Sequence, residues 1–201
     1  MFSLIQAAGW PIWFLILTSL VALALIIERF LALKRDKILP EGLVEEVLLL
    51  SRNQQLTPEV AHRMSQISPL GKVLAAGVRQ RAMGLLAMRE SMESAGRLVA
   101  HQLERFLPAI GTIATVAPLL GLFGTVVGMI EIFHAQGPSG TNPQMLGQGI
   151  STALYNTAFG ILIAVPAMIF YRIFRSKVDG YLVEMEQAAA KVSEALTTPR
   201  S

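Results

Sequence analysis

The chain has 201 residues, of which 53% are hydrophobic and 15% charged, with a mean hydropathy of +0.52. That balance is more apolar and less charged than an average soluble domain, and a net charge of +3 is too small to point to nucleic acid. There is no cysteine, so no disulfide forms and the redox compartment is left open.

The first apolar stretch runs from about Ala7 to Ile27 and is interrupted only by Thr18 and Ser19. A secretory signal carries positive charge ahead of its apolar core. Here Met1 to Gln6 has none, and Arg29, Lys34, Arg35 and Lys37 follow instead. This order predicts a retained signal-anchor with its N-terminus outside, and Trp10 and Trp13 sit at the expected outer interface.

Residues 28–105 read as a cytoplasmic helical region, punctuated by Pro40, by SRNQQLTP at 51–58 and by Ser68-Pro69. From Leu85 no breaker occurs until Pro108, which predicts that the second span continues into the cytoplasm as one long helix. The second span is expected at 106–133 and the third at 149–171. Each exceeds the roughly 20 helical residues that cross a bilayer core. Neither Phe106–Ile130 nor Gly149–Tyr171 contains Asp or Glu, yet both carry hydroxyls and amides: Thr112, Thr115, Thr125, Ser151, Thr152, Asn156 and Thr157. Lipid offers such groups no partner, so they are expected to face other helices or a wet path.

Residues 134–148 lack Lys and Arg and include the turn-rich HAQGPSGTNPQ, which reads as an irregular periplasmic loop. Arg172, Arg175 and Lys177 then place the tail, 172–201, in the cytoplasm. The tail repeats Val178, Tyr181, Leu182, Met185, Ala189, Val192 and Leu196 on one helical face, which either packs on the chain's own helices or joins subunits. The fold class is therefore an all-α membrane protein with three transmembrane helices. Spans 2 and 3 extend into a cytoplasmic helical bundle.

Small residues recur four apart as Ala117/Gly121 and Gly124/Gly128 in span 2 and as Gly160/Ala164 in span 3. This spacing lets membrane helices approach closely, and it predicts a ring of identical subunits built on spans 2 and 3. Pro118 and Pro166 each remove a backbone hydrogen bond, which neighbouring hydroxyls or water are expected to offset. Walker-type loops, zinc-ligand spacings and nucleophile elbows are absent, and His62, His101 and His134 are scattered, so neither an enzyme nor a cofactor is expected.

The run APLLGLFGTVVGMIEIF at 117–133 resembles the second-span signature of the MotA/TolQ/ExbB proton-channel family. GISTALYNTAFGILIAVPAMIFY at 149–171 resembles its third-span signature, and 28–40, 68–77 and 95–114 are similar to ExbB-type members. The resemblance implies a bacterial inner-membrane motor subunit driven by the proton-motive force. It implies a homopentamer around a dimer of a single-span ExbD- or TolR-like partner that carries a membrane aspartate, with TonB as a further partner. Thr125 and Thr157 fall on the family's polar threonine positions, with Ser151, Asn156 and Thr115 as further path-lining candidates. Where the ExbB and TolQ pattern is GIAEAL, this chain has GISTAL, so Thr152 stands at the glutamate position. This subunit then offers hydroxyls, an amide and water at mid-membrane, but no carboxylate. Glu131, the nearest acid, reads either as a proton-collecting group at the outer mouth or, more simply, as a headgroup-level residue ending span 2. The alternatives to an ExbB role are a TolQ-type subunit of an envelope-maintenance motor and a scaffold that conducts nothing.

Overall fold

The computed structural model describes residues 9–135 and 143–197, and among these the secondary structure is entirely helical. In chain order the helices are α1 (Ile12–Ala32), α2 (Arg35–Ile38), α3 (Leu43–Arg52), α4 (Pro58–Ile67), α5 (Pro69–Arg79), α6 (Leu85–Leu103), α7 (Leu107–Ala135) and α8 (Pro143–Thr197), with a 3₁₀ turn at Arg81–Met83 before α6. The chain divides into two compact units. One holds the described residues up to Arg29 together with Phe106–Ile173; the other holds Phe30–Arg105 and the described residues from Phe174 onward.

The first unit contains the apolar lengths of α1, α7 and α8, each long enough to cross a membrane. Helix α1 buries a narrow strip, Ile12, Leu15, Ala22 and Arg29, while Trp13, Leu17, Leu20, Leu23 and Ile27 are exposed. An isolated apolar helix in water would not tolerate that surface; facing lipid it is unstrained. Trp10 meets the Phe123 ring edge-on at 6.1 Å, which brings the start of α1 against α7. Lower down, α1 lines a shallow apolar groove with α8, between residues such as Leu15, Ser19, Phe159 and Pro166.

The second unit is a bundle of short helices around the end of α8. Its corners are built by capping. Thr57 accepts from Val60 N ahead of Pro58, and Ser68 accepts from Gly71 N at 3.0 Å ahead of Pro69. These pairs satisfy amides left open in the first turn, and proline fits there because it has none to satisfy. Gly71 is required at the second corner, since a Cβ would fall 2.1 Å from Met64 O. The core gathers Val47, Leu74, Met88, Met92 and Val99 with Phe174, Val178, Met185 and Val192 of α8.

The amphipathic face of the tail therefore packs on the chain's own helices. Tyr181 donates to Leu33 O at 3.1 Å from within that face. Ion pairs flank it: Arg35–Glu184 at 2.7 Å, Arg175–Glu104 at 2.8 Å, Arg89–Glu194 at 3.1 Å and Lys191–Glu45 at 3.4 Å.

Two boundaries differ from the expectation. The second span does not run back to Leu85 as one helix: α6 ends at Leu103, and Phe106 adopts a left-handed φ of +67° before α7 begins. No α-helix passes through that conformation, and no glycine or proline announced it. The third span and the tail, in contrast, form one helix of 55 residues, α8, which starts at Pro143. The last part of the expected loop at 134–148 is therefore helical, as are His134 and Ala135 at the end of α7. Residues 136–142 lie outside the described residues.

Candidate functional site

The seam between α7 and α8 is made by the small residues, because only they let two backbones meet. A Cβ on Gly121 would fall 2.6 Å from Asn156 O and 2.9 Å from Thr157 Cα. On Gly160 it would fall 2.6 Å from Ala117 O and 3.2 Å from Gly121 Cα. On Gly128 it would stand 3.1 Å from Ala153 Cβ. Ala114, Ala117, Ala164 and Ala167 are buried in the same rows. The small-residue spacing is thus used inside one chain, to pair its own second and third spans. The ring expected from that spacing gains no support from it, because these backbones are already covered by the chain itself.

Asn156 lies in the middle of this seam and is 1% exposed. Gly124 is opposite: a Cβ there would come within 2.8 Å of Asn156 Cβ and Cγ. An amide side chain so deep between apolar helices displaces side chain on the partner helix, and Gly124 supplies the space.

Thr125 and Thr157 each follow the contact row by one residue, Thr125 after Gly124 and Thr157 after Asn156. One residue rotates a helix by about 100°. In a pair of antiparallel right-handed helices, an equal step past the contact row turns both side chains toward the same side of the pair. Both threonines are half-buried, at one edge of the seam. Phe123 on α7, and Phe159, Leu162 and Pro166 on α8, lie on the opposite side, where α1 packs. The membrane unit therefore has an α1 side and a threonine side. Among the described residues, the threonine side carries no ionised group and exposes Leu119, Leu122, Val126, Leu154, Ile161 and Val165 around the two hydroxyls.

Thr125 Oγ1 donates to Leu122 O at 2.6 Å, which parks its proton and leaves its lone pairs available. Thr115 is exposed on the outer face of α7 and donates to Thr112 O at 2.9 Å; Thr112 donates to Pro108 O at 2.9 Å. These hydroxyls serve their own turns rather than the Ala114 carbonyl that Pro118 leaves without its usual donor. Ser151 is exposed, five residues before Asn156 and hence about 140° around α8 from the seam. The structure thus brings Thr125, Asn156 and Thr157 together and leaves Thr115 and Ser151 apart from them. Position 152 is helical, but its side chain is outside the described residues. Glu131 is exposed, and α7 continues past it to Ala135.

Ala153 and the pairing of Arg29 with Phe106 escaped the sequence reading. Ala153 completes the Gly128 contact, and its place three residues before Asn156 was the available signal. Among the described residues, no group of three or more His, Asp or Glu side chains forms a metal site.

Residues 65–187 match the MotA/TolQ/ExbB proton channel family, a stretch that includes α7, the seam and most of α8. The chain belongs to that family. It is 31% identical over 161 residues to a biopolymer transport protein, ExbB-like 3, of Synechocystis sp., covering 79% of this chain and 77% of that protein. It is 29% identical over 193 residues to the biopolymer transport protein exbB1 of Vibrio cholerae, with 90% and 82% covered. A Tol-Pal system protein, TolQ of Haemophilus influenzae, is 36% identical over 118 residues, 58% of this chain and 48% of its own. The ExbB-type resemblance drawn from the span motifs is in agreement with these matches.

Proposed function

We propose that this chain is the ring-forming inner-membrane subunit of a motor driven by the proton-motive force, of the ExbB–ExbD type that energises TonB-dependent transport. The observation that carries this reading is the threonine side of the membrane unit. Two hydroxyls stand at the edge of a close-packed seam, in a surface otherwise apolar and free of charge, and α1 packs on the other side. In a ring, that side faces the axis, where a dimer of single-span partners brings its membrane aspartate.

The chemistry follows from what a hydroxyl offers. A protonated carboxyl donates, and Thr125, with its own proton on Leu122 O, accepts. When the carboxyl ionises it needs donors, and a hydroxyl rotates to become one. An uncompensated charge at this depth costs about 3 kcal/mol or more on insertion scales. Thr125 and Thr157 reduce that cost for a partner carboxylate in transit. Each proton that crosses releases about 2.3 kcal/mol per 100 mV, so a mechanical step draws on several. With threonine at 152, the carboxylate chemistry belongs to the partner. Ring number is five by resemblance.

The test is proton flux in liposomes containing this chain and its single-span partner, at matched protein levels. Thr157→Val keeps shape and removes both donor and acceptor. The expected result is an intact assembly with flux reduced about tenfold or more, the scale of a lost hydrogen bond to a charged group. Full flux in the Thr125→Val, Thr157→Val double variant overturns the hydroxyl path and leaves both threonines as packing residues. A TolQ-type role is the second reading, favoured by the 36% identity to TolQ over the shorter stretch. Pairing each candidate partner with this chain in the same flux assay separates the two.

A further inference from the structure

Two unusual features of the membrane unit meet at one point. Arg29, at the end of the α1 strip, is 5% exposed. Phe106 is a non-glycine residue with φ of +67° at the start of α7. The Arg29 guanidinium lies over the Phe106 ring, 5.3 Å from its centroid, and Glu28 binds the same guanidinium at 2.6 Å. A buried arginine needs its charge compensated, and a bulky side chain in the left-handed region needs something to hold it there. The aromatic face and the Glu28 carboxylate stabilise the cation, and the cation pins the ring that fixes the backbone turn.

Arg29 and Phe106 also sit at boundaries between the units, which fall after Arg29, between Arg105 and Phe106, and between Ile173 and Phe174. Between Leu103 and Leu107 the helix is broken, and the α7 ladder begins with Ile110 N donating to Phe106 O at 3.1 Å.

We propose that Arg29 and Phe106 form a clasp that sets the start and rotation of α7, and so holds the α7–α8 seam in register. Arg29 is a positioning residue, acting on Thr125 through Phe106 and the helix that follows. One turn of slip or a rotation of α7 would carry Gly124 off Asn156 and Thr125 off the threonine side. That bearing on proton transfer rests on the proposed function, whereas the register itself does not.

The experiment reads register without a partner or a proton gradient. The chain has no cysteine, so Gly128→Cys with Ala153→Cys gives one pair, at positions where a Cβ on Gly128 would stand 3.1 Å from that of Ala153. The rate of disulfide formation is followed in membrane-embedded protein only. Phe106→Tyr and Phe106→Trp keep a ring and are expected to cross-link like the background. Phe106→Leu and Arg29→Gln remove one half each, and are expected to slow the reaction about three- to tenfold, as a partly desolvated cation–π contact allows. The double variant is expected to be no slower than the worse single one, because the two halves act as one unit. Arg29→Lys, which keeps the charge but loses the planar guanidinium, falls between. Phe106→Gly decides the matter: it relieves the backbone and deletes the ring. A clasp predicts slow cross-linking there despite the easier φ. A Phe106→Gly chain as fast as the background, or a silent Arg29→Gln, overturns the proposal and makes Phe106 an ordinary turn residue. Loss of flux with unchanged cross-linking counts against the clasp without touching the proposed function, and normal cross-linking control with no flux does the reverse.

Discussion

At the scale of single residues, the seam is governed by what a glycine leaves out. Gly124 faces Asn156 at a distance no Cβ tolerates, while Gly180, exposed on α8, has nothing within 4 Å of its would-be Cβ. The same substitution therefore has opposite signs at the two sites. Gly124→Ala is expected to destabilise the chain by about 1–3 kcal/mol through overpacking. Gly180→Ala is expected to stabilise it by up to about 1 kcal/mol through helix propensity. Thermal unfolding in mild detergent checks both, and a stabilising Gly124→Ala would mean that Asn156 is not held against that position. The composition alone treats these glycines alike, and only their surroundings divide them.

At the scale of elements, α7 and α8 contrast. Helix α8 carries Pro166 yet remains continuous for 55 residues, whereas the α6–α7 stretch, with no proline or glycine between Leu98 and Leu107, is broken. The ion pairs along the end of α8 fasten it to α2, α3 and α6. Arg35 beside Glu184 holds that carboxyl below the usual carboxylate range, first by hydrogen bonding and then by its charge, and Glu184 raises Arg35 in turn. Because the folded value of Glu184 is depressed, its contribution is present above about pH 4.3, the unfolded value. It is lost as pH falls through the lower folded value. Glu184→Gln is therefore expected to lower the melting temperature slightly at pH 7, by the small amount an exposed pair supplies, and to have no effect once pH is below the depressed folded value of Glu184. Melting curves for both proteins from pH 7 down the acid limb check this, and a difference that never narrows as pH falls would exclude the ion pair as its cause.

At the scale of the whole molecule, charge along the chain argues for an orientation. No Lys or Arg occurs from Glu131 to Gln148, while basic residues cluster after the first span, before the second and after the third. Positive-inside bias predicts that 131–148 lies outside and that Ser65 and Thr197 are cytoplasmic. Single cysteines test it cleanly in this cysteine-free chain. A cysteine at Ser139 is expected to react with an impermeant thiol reagent added to spheroplasts, and cysteines at 65 or 197 are not. The reverse pattern would invert the orientation.

The sequence by itself determined the helical class, the three apolar lengths, the tail's buried face and the family, because each is written in local composition, in a 3.6-residue period or in a contiguous motif. It also identified the small residues of spans 2 and 3, since their spacing is a property of one helix. Which surface those residues meet is a property of two, and the tertiary structure gave them to the chain's own seam rather than to a neighbour. The same reason separates the polar candidates. The family resemblance singled out Thr125 and Thr157 among these hydroxyls and the amide, but only rotation about a packed helix pair puts Asn156 inside, Thr125 and Thr157 at the edge, and Thr115 and Ser151 elsewhere. The break at Phe106 was illegible for a further reason. Its backbone conformation runs against local preference, and what accompanies it, the Arg29 guanidinium, lies 77 residues earlier in the chain.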